Sequence, residues 1–133
     1  MVKSKPTCIL ITGGRDYGDI GAVFDCLTYL DSETERMVVV HGDAPGADSL
    51  AFEVCKEVGI EQVRVPAAWE KFKRGAGPIR NSLMLELIDI DMVLAFPGGV
   101  GTKNMKEQAR SAGIPVIESD VLITGIRGGG SQK

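Results

Sequence analysis

Three short stretches of the chain set glycines beside charged or hydroxyl side chains, and the chemistry such stretches suit is anion binding. They are residues 13–18 (Gly13-Gly14-Arg15-Asp16-Tyr17-Gly18), residues 41–48 (His41-Gly42-Asp43-Ala44-Pro45-Gly46-Ala47-Asp48) and residues 97–102 (Pro97-Gly98-Gly99-Val100-Gly101-Thr102). Glycine lets backbone N–H groups approach an anion closely. A helix that starts just after such a loop points its N-terminal amides at the same spot. The third stretch is the sharpest, because Thr102 adds a hydroxyl to the amides around Gly98, Gly99 and Gly101. None of the three has the G-x-G-x-x-G or G-x-x-x-x-G-K-[ST] spacing, so neither dehydrogenase nor P-loop chemistry is supported, and no cofactor is implied.

The side chains around these loops each have a functional and a plainer reading. Arg15 can pair with a ligand phosphate, or be solvated, or pair with Asp43 or Asp48. Asp43 and Asp48 can accept from ribose hydroxyls or amino groups, or cap a helix start. His41, the single histidine, ends a hydrophobic run and is either a hydrogen-bonding core residue or, with Asp16, Asp43 and Asp48, an acid–base candidate. No cysteine or second histidine stands at ligand spacing beside it, so no metal site is expected. Trp69, the single tryptophan, can stack on a base or cover the sheet edge. Arg80 falls in the first turn of a helix beside Asn81, where a cation opposes the helix dipole, so it should meet a carboxylate or a ligand anion. No residue is assigned a catalytic role.

Short apolar runs alternate with amphipathic stretches and must position these loops. Runs at 7–12, 37–40, 62–65, 92–96 and 114–117 read as buried parallel strands, with Pro115 hinting that the last lies at an edge. Between them, Asp19 caps a helix presenting Ile20, Val23, Phe24, Leu27 and Leu30, and Pro45-Gly46 opens a second helix that stops at Gly59. Pro78 sits in the first turn of a third helix, whose buried face is Ile79, Leu83 and Leu87. Thr102 caps a fourth, with Met105, Ala109 and Ala112 inward. Residues 121–124 suit a short strand, and residues 125–133 a flexible Gly/Ser-rich tail. This alternation predicts a Rossmann-like, doubly wound parallel sheet of about five strands with helices on both faces, as one domain over residues 1–124. In such sheets ligands bind beyond the carboxyl ends of the strands, where all three glycine stretches fall.

Composition narrows the partners. With 133 residues and a formal net charge of −3, the chain lacks the basic surface of a nucleic-acid binder. No apolar run approaches the ~20 residues of a membrane span. Cys8, Cys26 and Cys55 form no C-x-x-C pair and read as free thiols in a reducing cytoplasm.

Taken together in order, Gly13-Gly14-Arg15-Asp16, His41-Gly42 with Gly46-Ala47-Asp48, Trp69, Gly77-Pro78-Ile79-Arg80-Asn81 with Met84, and residues 96–102 with Met105 resemble the SLOG superfamily, most closely its small YspA-related branch. That superfamily joins the Lonely Guy phosphoribohydrolases and the DNA-processing Smf/DprA proteins. The resemblance implies a nucleotide or nucleotide-derived ligand and a homo-oligomer. Lonely Guy enzymes carry P-G-G-x-G-T-x-x-E, and here the glutamate position is Met105. A thioether cannot act as acid or base. The expected role is therefore that of a sensor, carrier or sequestering protein, which extends to phage-encoded sponges for signalling nucleotides. The alternatives are a hydrolase of a nucleoside phosphate's N-glycosidic bond, for which a carboxylate at 105 would reach the sugar, and a DNA-associated accessory protein of Smf/DprA type.

Overall fold

The computed structural model describes residues 5–68 and 73–131. Five strands, β1 (Thr7–Thr12), β2 (Met37–His41), β3 (Glu61–Arg64), β4 (Met92–Ala95) and β5 (Val116–Glu118), form one parallel sheet in the order β3-β2-β1-β4-β5. This is the Rossmann order over its first five strands, and it reverses direction between β1 and β4. Among the described residues five α-helices connect and cover it: α1 (Ile20–Ser32), α2 (Ala47–Val58), α3 (Ala76–Leu87), α4 (Val100–Ser111) and α5 (Ser119–Ser131).

The central strands β1, β2 and β4 are apolar on both faces because both are covered, whereas the edge strand β3 is polar and largely exposed. Ile9, Ile11, Val39 and Leu94 point to a layer built from α1, α2 and α5, with Val23, Cys26, Leu27, Ala51 and Val54 filling it. Leu10, Val38, Val40 and Val93 alternate to the opposite face and meet Met84 of α3 with Met105 and Ala109 of α4. Asp19 caps α1 as its position suggests, its Oδ1 accepting from the Ala22 amide at 3.0 Å. Gly59 closes α2 in the left-handed conformation at φ 81°.

Several expectations differ. Strand β3 is largely exposed, and Ile20, Phe24 and Ala112 face outward. The Ile79, Leu83 and Leu87 stripe of α3 is outward, with Leu87 77% exposed, and the helix buries Ala76, Gly77, Asn81 and Met84 instead. Small residues let α3 approach closely, and periodicity alone cannot say which side of a helix meets the sheet. α4 is capped by Gly99, so Thr102 lies inside its first turn and is buried. Residues 119–131 form a helix where a short strand and an irregular tail were expected. Leu122 and Ile123 pack on the α1–α2 layer and Arg127 bonds Asp25 at 2.7 Å, tertiary contacts that outweigh weak local propensity. Among the described residues no helix is long and apolar enough to cross a membrane.

Candidate functional site

At the switch point, the loops leaving β1 and β4 splay apart yet stay tied at their roots. The Gly14 amide donates to the Pro97 carbonyl at 2.8 Å, and the Ala47 amide at the start of α2 donates to the Gly14 carbonyl at 3.1 Å. The three glycine stretches therefore share one hydrogen-bonded junction. Gly46 and Gly98 are among the glycines of this junction that close approach requires. Gly46 has φ 80°, and a Cβ there would run into the Gly14 carbonyl and the Arg15 backbone. A Cβ on Gly98 would collide with the Thr102 hydroxyl and stand 2.6 Å from the Gly14 nitrogen.

Gly99 and Gly101 differ, because a Cβ on either would meet nothing within 4 Å. Both border a cleft of about 810 Å³ lying above the junction, between the β1 loop, the N-terminus of α4 and the first turn of α3. Gly99 offers no side-chain cap, so among the described residues the first amides of α4 meet no capping partner. Arg15 and Asp16, exposed at the cleft mouth, form no ion pair among the described residues. The partners considered for Arg15 are engaged elsewhere: Asp43 faces Arg64 at 3.7 Å, and Asp48 is held by backbone amides.

The opposite wall is a chain of hydrogen bonds from β2 to α4. Arg80 donates through Nη1 to the Gly42 carbonyl at 2.7 Å and through Nε to Asn81 Oδ1 at 3.0 Å. Its guanidinium lies against Gly42, where a Cβ would overlap it. Asn81, buried, donates through Nδ2 to Asn104 Oδ1 at 3.0 Å, and Gln108 Nε2 donates to the same oxygen at 2.8 Å. Ser82 donates to Gln108 Oε1 at 2.8 Å. Burial lowers the Arg80 pKa from its ordinary value, partly offset by the Asp48 charge. Asp48 is 7% exposed, and its Oδ2 accepts from the Gly42 and Ala44 amides at 3.0 and 3.3 Å. Burial pushes its pKa up, while the His41 ring, those amides and Arg80 pull it down.

Of the residues singled out from sequence, Gly13, Gly14, Arg15, Asp16, Asp48, Arg80, Asn81, Pro97, Gly98, Gly99, Gly101 and Thr102 all line this cleft. His41, Gly42, Asp43 and Gly46 stand behind it. His41 is fully buried: its Nδ1 accepts from the Asp43 amide at 3.0 Å, so Nε2 carries the hydrogen that Gln62 Oε1 accepts at 3.0 Å. Both ring nitrogens are thus engaged within the protein. Trp69 lies outside the described residues.

Met105 is 1% exposed and packs beneath the sheet with Leu10, Met84 and Val93, turned away from the cleft. The expectation that a carboxylate at 105 would reach a bound sugar is corrected by this packing. Its neighbour Asn104 does line the cleft, and sequence reasoning passed over it together with Tyr17, Ser82 and Gln108. A signal existed: Asn104 and Gln108 stand four apart on α4, opposite the Asn81-Ser82 pair of α3. Among the described residues no group of His, Cys, Asp or Glu side chains could hold a metal ion.

The parallel order, its reversal between β1 and β4 and the glycine-walled cleft above that reversal define a Rossmann-like α/β protein. Residues 7–72 match the YspA, cpYpsA-related SLOG family, and the chain belongs to it. The Gene 61 protein of Mycobacterium phage D29 is 39% identical over 117 residues, covering 82% of this chain and 93% of that protein. Two solved structures share the fold at 15% identity, each matching 91% of this chain. They are DNA processing protein A (DprA) from Streptococcus pneumoniae, at TM-score 0.53, and Acinetobacter baumannii MurG, at TM-score 0.55. The chain spans 62% and 39% of their lengths.

Proposed function

We propose that this protein binds a nucleotide or nucleotide-derived molecule in the cleft, with its phosphate at the first turn of α4, and acts as a sensor, carrier or sequestering protein. The observation that carries this reading is the contrast within one loop. Gly98 is required by packing, whereas Gly99 and Gly101 face open space beside the uncapped α4 amides and Arg15, which has no ion pair among the described residues. Glycines that the protein's own packing does not need are accounted for by a ligand that approaches the backbone closely. Binding is favoured over N-glycosidic hydrolysis because α4 turns Met105, and no carboxylate, into the core. A homo-oligomer belongs to the same reading, and the outward Ile79, Leu83 and Leu87 stripe supports it.

The test is thermal unfolding with a panel of nucleotides. A ligand at 100 times its Kd stabilises the folded state by about 2.7 kcal/mol. Gly99→Asp should keep the wild-type melting temperature without ligand, since its Cβ meets nothing, and lose the ligand-induced shift. Gly98→Ala should lower the melting temperature itself. A shift that survives Gly99→Asp refutes the phosphate position. The fold neighbour named for DNA processing weighs against leaving nucleic acid aside, so a single-stranded oligonucleotide belongs in the same panel. Stabilisation by the oligonucleotide alone would favour the DNA-associated reading.

A further inference from the structure

Asp48 is not explained by its structural bonds. One oxygen, Oδ2, serves both the Gly42 and Ala44 amides. Oδ1 meets no donor among the described residues, although the residue is 7% exposed and lines the cleft. A serine or asparagine would satisfy loop amides without burying a charge. Arg80 lines the same cleft and its charge reaches Asp48, yet the two make no ion pair. Its Nε and Nη1 are used, while Nη2 finds no acceptor among the described residues. Among the described residues the wall thus holds one unfilled acceptor, on buried Asp48, and one unfilled donor, on half-buried Arg80.

The pair restricts what can sit there. A phosphate is repelled by Asp48 and a cation by Arg80. An amino group on a base donates but does not accept. A hydroxyl does both. Building on the nucleotide reading above, we propose that Asp48 is the specificity-determining residue of the cleft. Its Oδ1 accepts a hydrogen bond from a ribose hydroxyl of the bound nucleotide while Arg80 Nη2 donates to that hydroxyl. The ligand class is then a ribonucleotide, oriented with its phosphate at α4 and its sugar edge on the Asp48–Arg80 wall. A deoxy analogue leaves both groups unpaired in the closed-off wall of the cleft, a basis for rejecting it.

The experiment is calorimetric titration of the full chain with the four ribonucleoside 5′-mono- and diphosphates and their 2′-deoxy and 3′-deoxy counterparts. The best ribonucleotide should bind at least about tenfold tighter than one of its deoxy forms. Asp48→Asn keeps an oxygen for the two amides and turns the free acceptor into a donor. It should still bind through the phosphate and reduce that ratio to about twofold or less. If ribo and deoxy forms bind the wild type equally, or the preference persists in Asp48→Asn, the assignment of Asp48 is overturned and the nucleotide reading stands. If no nucleotide binds the wild type, both fall. Should Asp48→Asn fail to fold, the wild-type ratio decides alone.

Discussion

Replacing Met105 by glutamate, the residue that Lonely Guy enzymes carry there, separates a core position from a disguised catalytic one. Met105 is 1% exposed and packs in a hydrophobic cluster with Leu10, Met84 and Val93. A glutamate carboxyl, ordinarily near pKa 4.3, is raised by roughly 3–5 units when fully buried. At pH 7 it would be held largely protonated, at a cost of about 4 kcal/mol relative to the unfolded chain. Leaving the neutral acid without a hydrogen bond adds about 1–3 kcal/mol. The sum, about 5–7 kcal/mol, is comparable to the whole stability of a small domain, about 5–15 kcal/mol. At roughly 3–5 °C per kcal/mol, Met105→Glu should melt about 15–35 °C below wild type at pH 7. The sign of the pH dependence follows. A carboxyl whose folded pKa is raised contributes stability that is present at low pH and lost as pH rises towards that folded pKa. The gap to wild type should therefore shrink by more than half between pH 7 and pH 4. Calorimetric melting at both pH values, with an assay for free base released from nucleoside monophosphates, checks this. An unchanged melting temperature at pH 7, or base release by Met105→Glu, would refute the core placement.

The other predictions use the same economy of perturbation. Cys26 and Cys55 are buried, and burial pushes their thiols up to about 11 and about 12. Since the thiolate is the reactive form, both should resist iodoacetamide at pH 8 in the native protein and react in urea; labelling of Cys55 as fast as half-buried Cys8 would contradict this. Sedimentation should find a homo-oligomer at micromolar concentration. Leu83→Glu, on the outward stripe of α3, should dissociate it with little change in the melting temperature measured at low protein concentration. A wild-type monomer at tens of micromolar would remove the stripe as an interface.

How much of this was legible without coordinates depends on the range of the interactions involved. The strands could be read because a parallel strand covered on both faces must be apolar throughout, as Ile9, Leu10 and Ile11 are. Three glycine-rich stretches at three strand ends then had to share one edge of the sheet, so most of the cleft wall followed from local pattern and the topology rules. Asp19 and Gly59 were readable for the same reason, since caps are local. What the sequence could not distinguish were the glycines and charges themselves. Gly98 and Gly99 are adjacent and identical in type, yet one is pinned by Thr102 and Gly14 and the other faces open space. Asp43 and Asp48 looked alike, yet one meets Arg64 at the surface and the other is buried on the cleft. The inward position of Met105 could be read from spacing, but helix rotation decided that Asn104 reaches the cleft and that α3 buries Asn81 in place of Leu83. Those choices rest on contacts between residues dozens of positions apart. Local periodicity sets which side chains share a face, and only tertiary packing decides what that face meets.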